Sequence, residues 1–281
     1  MTDLASLTGD IAIVGVGNMG EAVLAGLIKA GIAGSRIKVA AHSRTTQVVD
    51  QYQVVPAEDA GEAAAGASVV LVAVKPNKVR EVVTLMAPQL SADALIISLA
   101  ASVPASDIAT WASTWIDSPG SEPRQSCPAI IRAIPNTPAR LGLGVTAIAA
   151  GPHATPEDMA TAAAIFGAVG QVVTVDETLL PAVSSVAGCG PAYLFLVAEA
   201  MIDGAVRLGL TRDAASQLVS ATFVGSAALL ATDETPTQLR AQVTSPGGTT
   251  AAAIYELEAH AVRAAFSAAM QASVDKSNQR A

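Results

Sequence analysis

Aromatic residues are scarce, at 3% of the 281 residues. Charged residues are also few, at 14%, while hydrophobic residues reach 51%. Much of that apolar share is alanine, so small side chains rather than rings must do most of the packing. Close-packed helices with small interface residues, and surface buried between subunits, fit that mix; a coding bias toward alanine is the alternative. Basic residues are outnumbered, 16 Lys and Arg against 24 Asp and Glu, for a net charge of −8. That balance argues against nucleic acid or an anionic membrane as a partner. An anionic ligand must therefore be held by a local site. The two cysteines, Cys127 and Cys189, lie far apart without metal-ligand spacing, so neither a disulfide framework nor a zinc site is expected. A reducing cytoplasm fits. The opening "MTDLASLTGD" lacks the basic and long apolar segments of a signal peptide. No apolar stretch of about 18 residues runs free of charge or breakers. The richest, 186–206, carries Glu199 and Asp203 and reads as a buried helix of a soluble protein.

What is present first is an alternation. "IAIVGVG", "IKVAA", "SVVLVAV", "ALIISLA", "AIIRAIP", "GVTAIAAG" and "GQVVTV" read as strands. "EAVLAGLIKAG", "GEAAAGA" and "NKVREVVTLMAPQL" between them have helical spacing. Continuous apolar strands separated by helices predict an α/β fold, a doubly wound parallel sheet covered on both faces. "SPGSEPRQSCP", 118–128, interrupts the rhythm as a Pro/Ser/Gly-rich loop. It follows a helix on which Trp111 and Trp115 share one face, as core packing. After Glu177 the strands stop. Residues 178–230 and 249–273 give long helical patterns. The chain thus divides at 177/178 into an α/β domain and an all-α domain. The helix that starts at Pro191 is apolar around most of its circumference and should be buried on most sides. Glu199, Asp203 and Arg207 recur every four residues along it and could pair in one stripe.

The turn after the first strand, "GVGNMG", sets Gly15, Gly17 and Gly20 in G-x-G-x-x-G spacing, with Asn18 and Met19 between. The spacing alone is weak. Between a strand and a helix it is a dinucleotide fingerprint. The first glycine makes the tight turn, the second admits a pyrophosphate, and the third lets helix and strand pack closely. A bare glycine-rich turn is the alternative. The second strand ends in "AAHSRTT", with no acid to hold a ribose 2′-hydroxyl. Ser43 and Arg44 suit a 2′-phosphate instead, so NADP(H) is preferred, with NAD(H) possible in second place. Glu58 and Asp59 come too late to be the strand-end acid. Ligands of open α/β sheets lie outside the carboxyl ends of the strands. Ala73, Val74, Lys75 and Pro76 at one strand end, and Ala100 and Ala101 at another, should therefore face the cofactor. Asn136 in "IPNTP" lies at the same edge. For Lys75 a plain surface role is the alternative.

Late in the chain, "VTSPGGTTAAAIYELE" opens a helix with a turn suited to an anion. Helix N-termini offer unpaired N–H groups and positive dipole. Pro246 fixes φ and lacks an N–H, and Gly247 and Gly248 let the backbone approach closely. An ordinary capped helix start is the alternative.

Together "VGVGNMG", "VAVKP", "IPNTPA", "GCGPAYLFLVAEAM" and "VTSPGGTTAAAIYELE" resemble pyrroline-5-carboxylate reductases, in the same order and over about residues 11–270. The resemblance implies NAD(P)H-dependent reduction of 1-pyrroline-5-carboxylate, a small-molecule substrate, to L-proline. It implies an N-terminal Rossmann domain and a C-terminal helical domain that forms a homodimer, with five dimers joined into a decamer. Ser245, Gly247, Gly248 and Thr249 would hold the substrate carboxylate. Thr250 would be the catalytic residue, donating a hydrogen bond to the ring nitrogen. Asp233 matches a position where some members carry a glutamate near the substrate amine. Ala187 and Cys189 replace serines of the family pattern, Ser102 replaces a glycine, and 118–128 looks inserted. The rivals are an NADP-dependent reductase of another cyclic imine and a non-catalytic NADP-binding regulator. A β-hydroxyacid dehydrogenase would need an interdomain lysine, and there is none between Lys78 and Lys276.

Overall fold

A computed structural model describes residues 9–41, 45–91, 93–113 and 127–279. The described residues up to Gly188 and from Ser273 on form one compact unit, and 189–272 another.

The first unit alternates strand and helix: β1 (Asp10–Val14), α1 (Asn18–Lys29), β2 (Ile37–Ala40), α2 (Thr45–Tyr52), β3 (Val55–Pro56), α3 (Ala60–Ala64), β4 (Ala67–Val72), α4 (Pro76–Met86), β5 (Leu95–Ser98), α5 (Ala105–Ser113), β6 (Ala129–Ile134), β7 (Gly144–Ala150), α6 (Pro156–Gly167) and β8 (Gly170–Thr174). The strands form one eight-stranded sheet in the order β3-β2-β1-β4-β5-β6-β7-β8. Two-residue β3 is an edge strand that hydrophobic patterning did not reveal.

Alternate residues of each central strand serve opposite faces, as a period of two requires. Ile11 and Ile13 pack in one cluster with Leu24, Leu27, Ile165 and Phe166 of α1 and α6. Ala12 and Val14 pack in the other with Val79, Val83, Met86 and Ile108 of α4 and α5. Burying each large aliphatic side chain contributes about 1.5–3 kcal/mol. Both faces are thereby covered, which is why these strands lack polar alternation.

The sheet is parallel with one exception: β6 and β7 pair antiparallel, Ile131 opposite Ala150 and Ile134 opposite Ala147. The cause is the connection. Only the 3₁₀ turn Thr137–Leu141 lies between them, and a parallel return needs a crossover of a dozen or more residues.

The strands stop at Thr174, and the remainder is helical. A short α7 (Leu180–Val183) continues through a π-helical stretch, Ser184–Gly188, into α8 (Gly190–Arg207). There follow α9 (Arg212–Leu230), α10 (Pro236–Gln242), α11 (Thr249–Ala259) and α12 (Val262–Asn278). The expected single helix over 249–273 is two, because Ala261 takes a left-handed φ of 55°. In the second unit α8 packs on α9, and Tyr193 of α8 meets Phe266 of α12 edge to face, centroids 6.4 Å apart. Arg263 and Arg240 both approach Glu258, at 2.7 and 3.8 Å. The hydrogen bond from Arg263 is the main reason the Glu258 carboxyl lies below its ordinary range.

Two expectations for α8 need correcting. Asp203 pairs with Arg212 at 2.9 Å, while Arg207 donates to the backbone oxygen of Asp203, so that carboxylate is taken from the following turn rather than along the stripe. Nor is α8 enclosed within its own chain: Leu194, Phe195 and Leu196 are more than half exposed. The stretch Glu177–Arg207 is long and apolar enough to cross a membrane by length and composition, and 11% of its most apolar window is buried. Apolar faces of that extent mark an interaction surface.

Gly170 tests the sheet. It begins β8 at φ +150°, and an added Cβ would stand 1.9 Å from the Gly144 carbonyl oxygen. Gly170→Ala should destabilise the chain by about 1–3 kcal/mol, read as a lower urea midpoint with an unchanged slope.

Candidate active site

The sheet order reverses at β1, whose successors lie on one side through β2 and on the other through β4. At such a switch point the connections leave in opposite directions and open a crevice at the carboxyl edge. The backbone ties these strand ends together. Gly15 N–H donates to Ala40 O at 2.8 Å, Ala73 N–H to Val14 O at 2.8 Å, and Leu99 N–H to Val72 O at 2.9 Å. The loops that begin at Gly15, Ala41, Ala73 and Leu99 therefore stand side by side.

Each fingerprint glycine has its own reason. Gly15 turns at φ +95°, and a Cβ there would meet Ala73 O at 2.8 Å. Gly20 lies so close to the first turn that a Cβ would meet Gly15 O at 2.2 Å. At Gly17 nothing lies within 4 Å of the Cβ position. Packing demands the outer two glycines; the middle one instead leaves open space over exposed backbone. Gly17 is also the N-cap of α1 and makes no side-chain cap, so its first N–H groups are left to a ligand. Asn18 is exposed beside them, and Met19 is partly buried against the core. This cradle fits a dinucleotide pyrophosphate.

The neighbouring strand ends repeat the pattern. Lys75 is the N-cap of α4, again without a side-chain cap, and Pro76 occupies the first turn. Ala73 and Val74 are half-buried, and Lys75 and Pro76 exposed. After β5, Ala100 is buried and Ala101 exposed. The expected 2′-phosphate residues, Ser43 and Arg44, lie outside the described residues, as do His42, Trp115 and nearly all of 118–128. Asp59 caps α3 through a 2.9 Å bond from Glu62 N–H.

Asn136 ties neighbouring elements together. It is buried, its Oδ1 accepts from Val145 N–H at 2.9 Å, and its Nδ2 donates to Ala187 O at 3.2 Å. Most of its amide is spent on the start of β7 and the π-helical stretch, leaving one N–H for a ligand.

Patterning also passed over an ion pair. Arg132, inside the apolar strand β6, donates from Nη1 to Glu177 Oε1 at 2.9 Å and from Nη2 to Ala101 O. Next to Glu177, the Thr178 hydroxyl and backbone N–H hold the Asp176 carboxyl below its ordinary range. The available signal was the arginine itself: a charge at the centre of a continuous apolar strand must be buried with a partner.

In the second unit, Gly248 is the N-cap of α11 and makes no side-chain cap. Gly247 supplies a φ of +68°, and a Cβ on Gly248 would meet Ser245 Oγ at 2.5 Å. Ser245, Pro246, Gly247 and Thr249 are exposed, while Gly248 and Thr250 are partly so. A curled turn thus delivers open N–H groups and hydroxyls at a helix start. Asp233 is exposed in the loop before α10.

Comparison with known proteins agrees with both halves. Residues 177–280 match the model for pyrroline-5-carboxylate reductase dimerisation, and residues 10–102 match NADP oxidoreductase coenzyme F420-dependent. The pyrroline-5-carboxylate reductase of Mycobacterium tuberculosis is 39% identical over 96% of each chain. The chain belongs to the pyrroline-5-carboxylate reductase family.

A solved family structure from Coxiella burnetii is 33% identical and superposes with a TM-score of 0.88 over 98% of this chain and 99% of that one. The Plasmodium falciparum structure, solved with NADP bound, is 26% identical with a TM-score of 0.82, over 97% and 98%. The expected fold is borne out: a Rossmann-like sheet followed by a helical dimerisation region. The exposed apolar side of α8 lies in the region that matches the dimerisation model.

The two kinds of glycine separate experimentally. Gly17→Ala should leave the melting temperature unchanged and raise the NADPH dissociation constant about tenfold or more. Gly20→Ala should lower both stability and NADPH affinity. Fluorescence titration with NADPH beside thermal unfolding distinguishes them.

Proposed function

We propose that this reductase converts 1-pyrroline-5-carboxylate to L-proline, the last step of proline biosynthesis, with NADPH preferred over NADH. The observation that carries the reading is the pair of uncapped helix starts, one at α1 behind a glycine turn and one at α11 behind SPGG. The reaction needs two anions held, a pyrophosphate and a carboxylate, and no protein nucleophile. When bound, the cofactor supplies a hydride to the imine carbon. The chain's residues bind, orient and polarise.

Gly15, Gly17, Asn18, Met19 and Gly20 hold the pyrophosphate. Ala73, Val74, Lys75, Pro76, Ala100 and Ala101 line the nicotinamide side, and Asn136 contributes its remaining N–H. Ser43 and Arg44 offer a hydroxyl donor and a positive charge suited to the 2′-phosphate. Ser245, Gly247, Gly248 and Thr249 grip the substrate carboxylate at the start of α11. Thr250, in the first turn of that helix, donates its hydroxyl to the ring nitrogen. A hydrogen-bonded imine is the better electrophile, so no histidine or carboxylate pair is required.

The division of labour follows the change at 177/178: residues 1–177 serve the cofactor, and 178–281 the dimer and substrate. The dimers assemble further, five to a decamer, and the enzyme works in the cytoplasm. The net charge of −8 supports the absence of nucleic-acid and membrane partners.

The test is oxidation of NADPH, and separately NADH, with 1-pyrroline-5-carboxylate, followed by loss of reduced-nicotinamide absorbance. Wild type should turn over with NADPH preferred. Thr250→Ala should lose activity by about 100-fold, the size of one general-acid contribution. Arg44→Ala should erode the NADPH preference without a comparable loss with NADH. Tight NADPH binding without turnover would overturn the substrate, pointing to another cyclic imine or a non-catalytic role. Turnover indifferent to Thr250→Ala would keep the reaction and discard the threonine.

A further inference from the structure

We infer that Arg132 and Glu177 form a positioning pair for the cofactor: one ion pair pins both ends of the turn between β5 and α5. The inference rests on the reading above through one premise, that Ala100 and Ala101 line the nicotinamide side.

Arg132 is 6% exposed in the middle of a strand whose other residues are apolar. Its Nε is buried with no hydrogen-bond partner among the described residues. Burying a guanidinium with a donor unsatisfied is unfavourable, and apolar side chains of similar volume usually serve stability as well or better. Stability alone therefore does not account for an arginine at this position.

What the pair holds is specific. Nη2 donates to the carbonyl of Ala101. Nη1 donates to Glu177 Oε1 at 2.9 Å, and the same oxygen accepts from Ala105 N–H at 2.8 Å. Ala105 is the first residue of α5, so Glu177 satisfies an open N–H at that helix start and complements its dipole. Both ends of the segment 101–105 thus hang on one pair. Ala100, Val103 and Ala105 pack into the core, but Ala101 and Ser102 between them do not. A cavity of about 230 Å³ lies along it, lined among others by Ala101, Ser102, Pro104, Arg132 and Glu177. Ala101 is exposed. Beside open volume, the bond from Arg132 sets where the backbone carbonyl of exposed Ala101 stands.

A guanidinium suits the task. Its planar fork reaches two acceptors in fixed directions, whereas an ammonium behaves as a compact point charge. The buried Nε is closed off from the cavity, which makes a second ligand site there the poorer reading. Arg132 and Glu177 act through the turn and touch no reacting atom.

Glu177 is the better first target, since its side chain is 30% exposed and its loss leaves less to collapse. Glu177→Ala should speed amide hydrogen exchange over 99–105, weaken NADPH about tenfold and lower kcat, with KM for the imine changed less. Glu177→Gln keeps an acceptor of the same shape and should restore NADPH affinity to within about threefold of wild type. Arg132→Lys, charged but not forked, should resemble Glu177→Ala. A folded, dimeric Glu177→Ala with NADPH affinity and 99–105 exchange within about twofold of wild type would overturn the pair's role. Loss of dimerisation with unchanged NADPH affinity would do the same. If wild type binds NADPH but does not reduce 1-pyrroline-5-carboxylate, the functional reading fails, and the binding and exchange data still judge the pair.

Discussion

Parallel strands deliver their chain to the same edge, and that constraint organises the cofactor half of this enzyme. Four successive loops, after β1, β2, β4 and β5, are brought to one side of the sheet by backbone hydrogen bonds between strand ends. At the switch point beside β1 there is space between diverging connections. Close approach is then limited by side-chain bulk. Gly15 and Gly20 are needed because the chain crosses itself there, while Gly17 is needed only if something approaches from outside. The same edge carries two uncapped helix starts, at α1 and α4. An anion-binding surface results from backbone alone, which is how a chain of net charge −8 can accommodate a polyphosphate.

The helical half solves a different problem. Its small-residue helices bury little within their own unit: Ala215 and Val219 are the buried residues of α9, and α8 has none. Apolar surface left open on this scale is stable only against another surface. That accounts for a composition that is half hydrophobic yet nearly free of rings, since alanine-rich helices allow close approach between copies. The glycine turn that opens α11 is borne by this same unit.

How much could be read without coordinates depended on the range of the interactions. Seven strands were legible from apolar runs, because a strand buried on both faces has no polar residue to hide it. The fingerprint was legible because its glycines answer local demands. β3 was not, being two residues at an edge. The antiparallel β7 was not foreseen, though the short link after Ile134 implied it. The break at Ala261 lacked a glycine to mark it. The bonds that tie Asn136 to Val145 and to Ala187, the latter 51 residues away, were not foreseen either.

By itself the sequence determined the class of seven of the eight strands, the glycine turn after β1 and the uncapped start of α11, since these rest on periodicity and on neighbours within a few residues. Only the tertiary structure decided which strand ends stand together, that the apolar side of α8 is left open within its own chain, and that Arg132 reaches Ala101 and Glu177 at once. The physical reason is distance along the chain: those partners are 31 and 45 residues from Arg132. Nothing in local spacing encodes a contact made only when the sheet closes around it.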